Sequence, residues 1–247
     1  MQRYFLEAKL VQDQPVVFDK ESDRHIRAVM RMQSGDEVIV CAEGNCYRAK
    51  LNEGEPLRAT ILEKEEVDRE LPLQVTVAQA LIKADKLEVV LQKGTELGAA
   101  AFQPFQAERS VVKLDQKKEA KKLLRWKKIV KEAAEQSARR ILPEVNDSAS
   151  AAQLVQRFKA FDLVIAAYEE RAKTGEGRAF FDAVKELKPG QSVLVIVGPE
   201  GGFSPEEADM LEDSGAVLCG LGPRILRAET APLYMLSALS YHIELSR

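Results

Sequence analysis

The chain has 247 residues, is 45% apolar, and carries 36 basic against 39 acidic side chains, a net charge of -3. That length gives room for one large domain, or for a small and a medium one, around a sizeable core. The charge balance gives no global support to nucleic-acid binding, so any RNA contact must come from local basic patches; no run approaches 18 apolar residues, and three cysteines with two histidines supply neither a disulfide framework nor a metal cluster.

The first ten residues, MQRYFLEAKL, are charged and lack the apolar stretch of a signal peptide, which points to the cytoplasm. Residues 1 to about 70 read as short strands, Arg3 to Leu6, Val16 to Phe18, Glu37 to Cys41, Cys46 to Leu51 and Arg58 to Leu62, punctuated by Ser34-Gly35-Asp36 and Gly44-Asn45. Cys41 and Cys46 flank that second turn, and are expected to be ordinary buried thiols on facing strands. Between the early strands, Ile26, Val29 and Met30 at helical spacing predict a helix over Asp23 to Met32 with Arg24, Arg27 and Arg31 on another face. Two readings of that basic face stand, a solvated surface and an RNA contact.

The charged connector EKEEVDRE, Glu63 to Glu70, has little to bury and places a domain boundary near Leu71. Strands then alternate with helices: strand Gln74 to Leu81, helix Asp85 to Leu97, strand Ala101 to Phe105, helix Lys117 to Ala138, a helical stretch around Gln153 to Lys159, strand Leu163 to Ala167 and helix Arg178 to Leu187. Alternation of this kind predicts an α/β fold, a mostly parallel sheet covered by helices on both faces with its ligand beyond the carboxyl ends of strands. In the first of these helices Asp85 and Glu88 have capping-box spacing, Leu87, Val90, Leu91 and Leu97 form the buried stripe, Gly94 implies close packing and Gly98 a C-cap. From Lys113 to Arg140 eleven basic residues face four acidic ones, the strongest basic patch in the chain, on a helix whose Leu123, Leu124, Trp126, Ile129, Val130 and Ala133 also pack. A solvated helix face and a phosphate-contacting one both fit.

Residues Gln191 to Ala231 hold two apolar strands, Val193 to Val197 and Ala216 to Leu221, each ending in a glycine-bearing loop. Gly198, Gly201 and Gly202 are expected to turn with positive φ and admit a ligand, and Ser204, Pro205 and Glu207 supply an N-cap, an N1 proline and an N3 carboxylate for a helix starting at Pro205. Glu200, Glu206 and Glu207 make that helix start a poor phosphate site. An apolar helix follows from about Pro232. No GxGxxG or GxxxxGK[ST] occurs, which argues against an ordinary nucleotide-binding α/β protein.

The pair GPEGGFSPEE and LGPRILRAETA, together with RHIRAVMRMQSGDEV, KADKLEVVLQKGTELGAAAFQPFQAERS and RWKKIVKEAAEQSARRILPEV in that order, resembles the RsmE family of SPOUT methyltransferases, which methylates N3 of a uridine in small-subunit (16S) ribosomal RNA. The resemblance covers nearly the whole chain. It implies a PUA-like β-barrel over 1–70 that touches RNA, with Arg3, Arg24, His25, Arg27 and Arg31 as contacts, and a SPOUT domain over 71–247 whose C-terminal part is knotted and forms a homodimer. It further implies an S-adenosyl-L-methionine pocket from Ala167 and Tyr168, from Gly198, Glu200 and Gly201, and from Leu221, Gly222, Ile225 and Leu226. Arg109 and Arg227 are candidates to stabilise charge on a deprotonated uracil, and Glu229 is the candidate general base. Where the family commonly has a hydroxyl residue before Glu-Thr-Ala, this chain has Ala228, and Pro232 follows directly. Two other readings remain open: a SPOUT enzyme acting on another RNA position, and a non-catalytic ribosome-assembly factor.

Overall fold

A computed structural model describes residues 1–170 and 178–246. The chain divides into two compact units, Met1–Glu70 with Ala134–Leu142, and Leu71–Ala133 with Pro143–Arg247. A single boundary near Leu71 overlooks the return at Ala134. The expected second domain also takes in residues 171–177 and 247, which lie outside the described residues.

The first unit is a five-stranded sheet built from β1 (Arg3–Phe5), β2 (Pro15–Val17), β3 (Glu37–Ala42), β4 (Asn45–Asn52) and β5 (Arg58–Lys64), in the order β1-β3-β4-β5-β2. Glu43 (φ 49) and Gly44 (φ 72) both lie in the left-handed region, which suits a two-residue hairpin between β3 and β4. That register sets Cys41 directly opposite Cys46, with their Cα atoms 4.1 Å apart and their sulfurs joined in a disulfide, where free thiols were expected. Tyr4, Phe18, Ile26, Val38, Val40, Leu51 and Ile61 form the core under the sheet.

Two further expectations fail in this unit. Arg3, taken as an RNA contact, is only 4% exposed: its guanidinium donates to Cys41 Sγ, Cys46 Sγ and the Arg139 carbonyl, and pairs with Glu65 at 2.6 Å. A period-2 strand carrying Arg3 inward could not be distinguished from one carrying it outward by charge alone. The helix expected over Asp23 to Met32 is instead α1 (Lys20–Arg24), capped by Asp19, running into a π-helical turn over His25–Val29. The wider turn rotates later side chains off the 3.6-residue stripe, so Ile26 is buried while Val29 and Met30 are exposed.

The second unit is a seven-stranded sheet in which every pair is parallel. Its elements are β6 (Gln74–Ala80), α2 (Ala84–Glu96), β7 (Ala101–Gln106), α3 (Gln116–Gln136), β8 (Glu144–Val145), β9 (Ala149–Ser150), α4 (Ala151–Val155), β10 (Leu163–Ala167), α5 (Ala179–Val184), β11 (Ser192–Val197), α6 (Pro205–Asp213), β12 (Val217–Cys219) and α7 (Ala231–Ser240). The strand order is β12-β10-β11-β6-β7-β8, with β9 also on β7. The short β8 and β9 have no sequence signal of their own. Strand alternation divides the core: Val193, Val195 and Val197 face Leu87, Leu91, Trp126, Val130, Leu236 and Leu239 on one side, and Leu194 and Ile196 face Leu154, Ala208 and Leu211 on the other. Burying each of the valine, leucine and isoleucine side chains among these contributes about 2 kcal/mol.

In α2 the expected capping box is absent: Lys83 is the N-cap, without a side-chain bond, and Glu88 instead pairs with Arg125 at 2.6 Å. Gly94 does permit close packing, since a Cβ there would lie 2.8 Å from Phe102 Cε1, and Gly98 (φ +95) follows the helix end. On α3 Trp126, Val130 and Ala133 are buried, whereas Leu124, expected to pack, is 73% exposed. From its basic run Arg125 is tied to Glu88, while Arg139 and Arg140 are held by Glu70 and Asp68.

Candidate functional site

Strands β10, β11 and β12 are neighbours although α5 and α6 separate them in sequence, because β11 inserts between β6 and β10 while β12 pairs on the far side of β10. Their carboxyl ends therefore open at one edge of the sheet, where ligands bind in parallel α/β folds. A cavity of about 720 Å³ lies there, within the usual range for small-ligand sites. Its wall takes Ala167 and Tyr168 from the end of β10, Gly198, Glu200 and Gly201 after β11, and Leu221, Gly222, Ile225 and Leu226 after β12. All nine residues named for the methyl-donor pocket thus line one cavity. Arg109 and Arg227 line it as well.

The first glycine loop is fastened by local chemistry that the sequence carries. Ser204 Oγ accepts from the Glu207 amide at 3.2 Å and Glu207 Oε2 accepts from the Ser204 amide at 3.2 Å, a reciprocal capping box ahead of Pro205. Glu207 does more than cap: its Oε1 accepts from the Glu108 amide at 2.8 Å, holding the loop after β7. From that loop Arg109 Nη1 donates to the carbonyls of Gly201 and Phe203 at 3.2 and 3.1 Å. Arg109 is thereby a brace of the glycine loop as well as a cavity side chain. On the sheet side the buried Gln79 Nε2 donates to the Gly198 carbonyl at 3.2 Å.

The glycines serve space more than backbone angle. Of the three expected at positive φ only Gly202 (φ +66) is there. Gly198 and Gly201 are needed for proximity, since a Cβ would come within 3.3 Å of Phe203 Cε2 and of Arg109 Cβ respectively. Gly222 (φ +91) opens onto free space at the cavity rim, where any other residue would be strained.

Glu229 is placed by an ion pair that the sequence did not suggest. Lys86 Nζ, on the first turn of α2, lies 3.2 Å from Glu229 Oε2 and 3.5 Å from Glu200 Oε1. The contact with Glu229 is an ion pair rather than a well-aligned hydrogen bond, as Oε2 has no aligned donor. Contact with the Glu229 carboxylate, against a smaller desolvation effect and with Glu200 adding to it, raises Lys86 above its ordinary 10.5. The lysine, 143 positions earlier in an unremarkable helix start, had no signal beyond lying within a quoted motif. The cavity therefore combines apolar walls from Val197, Leu221 and Leu226, closely approaching backbone, the guanidinium groups of Arg109, Arg224 and Arg227, and Lys86, which pairs with Glu200 on the wall and with Glu229 behind the lining residues.

In the first unit the remaining candidate RNA contacts fall differently. Arg24, Arg27 and Arg31 are exposed, with Arg27 paired to Asp23 at 2.6 Å and bonded to the Gly54 carbonyl. His25 is half-buried, its Nδ1 3.0 Å from the Tyr4 hydroxyl. Among the described residues no group of three or more His, Cys, Asp or Glu side chains is disposed to hold a metal ion, and no helix is long and apolar enough to cross a membrane.

Residues 69–240 match the RNA methyltransferase domain family. The whole chain is 49% identical over 254 residues to the ribosomal RNA small subunit methyltransferase E of Bacillus subtilis, covering 99% of that protein. It is 35% identical over 221 residues to the protein of the same name in Synechocystis, covering 89% of this chain and 71% of the relative. A ribosomal RNA small subunit methyltransferase E from Neisseria gonorrhoeae, solved bound to S-adenosyl methionine, superposes with a TM-score of 0.86 at 31% identity over 98% of both chains.

Proposed function

The chain belongs to the RNA methyltransferase family that includes the ribosomal RNA small subunit methyltransferases E, and on that footing we propose that it methylates N3 of a specific uridine in 16S ribosomal RNA, using S-adenosyl-L-methionine. The observation that supports it most is the convergence of the ends of β10, β11 and β12 on one cavity lined by three arginines and by Lys86, the partner of Glu229. Residues of that cavity suit the donor: backbone after Leu221 and Gly222 for an adenine edge, the approach allowed by Gly198 and Gly201 for ribose and the methionine moiety, and apolar Leu226 beside them.

When bound, the donor supplies an electrophilic methyl group on a sulfonium. Everything else falls to the protein and the RNA. N3 lies on the Watson-Crick edge, so the base must be unpaired or turned out of its stack. Glu229 takes the N3 proton, Arg227 and Arg109 offset negative charge on the ring, the N3–CH₃ bond forms as the S–CH₃ bond breaks, and the bonding pair leaves on sulfur. The protein's main task is to hold donor and acceptor in line.

Residues 1–70 are read as a PUA-like barrel that contacts RNA through Arg24, Arg27 and Arg31, near His25; residues 71–247 are read as a SPOUT domain with a C-terminal knot. Exposed Tyr234 and Tyr241 on and just after α7 support a homodimer through the second unit. A small ribosomal subunit in the cytoplasm is the expected substrate setting. Calorimetry with S-adenosyl-L-methionine, followed by nucleoside mass spectrometry of 16S RNA from a deletion strain before and after treatment with the enzyme, tests the reading. Appearance of 3-methyluridine is expected; absence of cofactor binding, or a ribose-methylated product, overturns it.

A further inference from the structure

Lys86 is an odd choice for its position. It occupies the first turn of α2, where the helix N-terminus carries partial positive charge and a cation is disfavoured. Its ammonium is turned to two carboxylates from distant parts of the chain, Glu200 after β11 and Glu229 before α7, and its side chain lines the cavity. Both of these partners lie off its own helix. Without this cation the two carboxylates would face each other with like charge and separate. Other charged groups facing the cavity are Arg109, Arg224 and Arg227, with Glu169 and Glu170; of the arginines, Arg109 is engaged with the Gly201 and Phe203 carbonyls.

We propose that Lys86 is a positioning residue for methyl transfer, clamping the Glu200 loop to the Glu229 loop so that the Glu229 carboxylate stays aimed at the acceptor nitrogen. The inference rests on the function proposed above and on the role given there to Glu229. Lys86 itself exchanges no proton with substrate; it acts through Glu229. Its effect therefore belongs in turnover rather than in donor affinity, because a misaligned base slows the reaction of a ternary complex that still forms.

The test compares Lys86→Met, Lys86→Arg, Glu229→Gln and the double variant Lys86→Met/Glu229→Gln, with donor affinity measured by calorimetry and kcat measured at saturating donor and RNA. Lys86→Met is expected to lower kcat by roughly 10- to 100-fold while donor affinity changes less than about fivefold, Lys86→Arg to restore most of kcat, and the double variant to be no slower than Glu229→Gln alone. Because Lys86→Met leaves two carboxylates without their cation, Lys86→Met/Glu200→Gln is measured beside it; its local charge equals that of the wild type, yet the clamp is missing, so the same kcat loss is expected. The inference is overturned if kcat holds within twofold in either Lys86→Met background, if arginine fails to rescue, or if the Lys86 and Glu229 losses multiply. Failure of the unaltered protein to bind the donor or to yield 3-methyluridine would instead remove the functional reading beneath it.

Discussion

Replacing Glu207 with alanine tests whether the capping box of α6 also sets the geometry of the cavity. Glu207 is 9% exposed and its two oxygens serve different segments, Oε2 the Ser204 amide and Oε1 the Glu108 amide. Loss of the reciprocal cap costs about 1 kcal/mol, and loss of a charge-assisted bond to a part-buried amide about 1.5–3 kcal/mol more. Together they predict destabilisation of about 3 kcal/mol, which for a chain of this size lowers the melting temperature by roughly 6–12 °C. Trp126, buried in the same unit and the sole tryptophan, reports the transition by fluorescence. Because Glu108 precedes Arg109, whose guanidinium holds the Gly201 and Phe203 carbonyls, donor affinity should also fall, by at least about fivefold if one to two of those bonds slacken. Glu206→Ala is the control: it is exposed in the same helical turn, so it loses only a dipole interaction of about 0.3–1 kcal/mol. Equal melting temperatures for the two variants, or a Glu207→Ala protein that binds donor like the wild type, would refute the reasoning.

Gly94→Ala sets two effects against each other, a helix-propensity gain of up to about 1 kcal/mol and an overpacking cost of about 1–3 kcal/mol from a Cβ 2.8 Å from Phe102; net destabilisation near 1 kcal/mol is expected from urea titration. In the first unit Glu70 accepts from Arg139 Nε at 2.7 Å and from the amides of Arg140 and Ile141 at 2.6 and 3.1 Å. With Arg139 only 3% exposed, Glu70→Ala should cost at least about 3 kcal/mol, read as faster hydrogen exchange across β3 and β4. For Glu65, burial pushes the carboxyl up, but hydrogen bonds from Arg69 and Arg3 with their charges outweigh it and hold the group below its usual 4.5. Its folded pKa being depressed, the stability it contributes is present above pH 4.5 and is lost as pH falls through the folded value; Glu65→Gln should flatten the acid limb of a urea midpoint measured from pH 7 to 3.

What was legible in the sequence was what repeats locally or sits within one turn of chain. The β/α alternation after Leu73, the Ser204-Pro205-Glu207 helix start, the close approach at Gly94 and the two glycine loops each follow from backbone geometry over a few residues, and the quoted motifs joined those loops into one donor site. Even there, local rules misplaced details: Asp85 and Glu88 have the spacing of a cap but Glu88 is drawn to Arg125, and three glycines expected to turn include two that are there for room.

Tertiary structure decided whatever depends on which strands become neighbours. Strand order brings Lys86, Glu200 and Glu229 to one ammonium-carboxylate cluster across more than half the chain, and no spacing rule reaches that far. The same holds for Arg3, whose sequence reads as a surface cation and whose inward side of β1 makes it a buried hub for Glu65 and the cysteine pair. Likewise the π-helical turn after His25 rotates Val29 and Met30 outward, a register change that a fixed 3.6-residue period cannot encode. Sequence thus specified the elements and the loop chemistry, because these are set by i to i+4 contacts, while burial and charge pairing waited on contacts that exist only once the sheet is assembled.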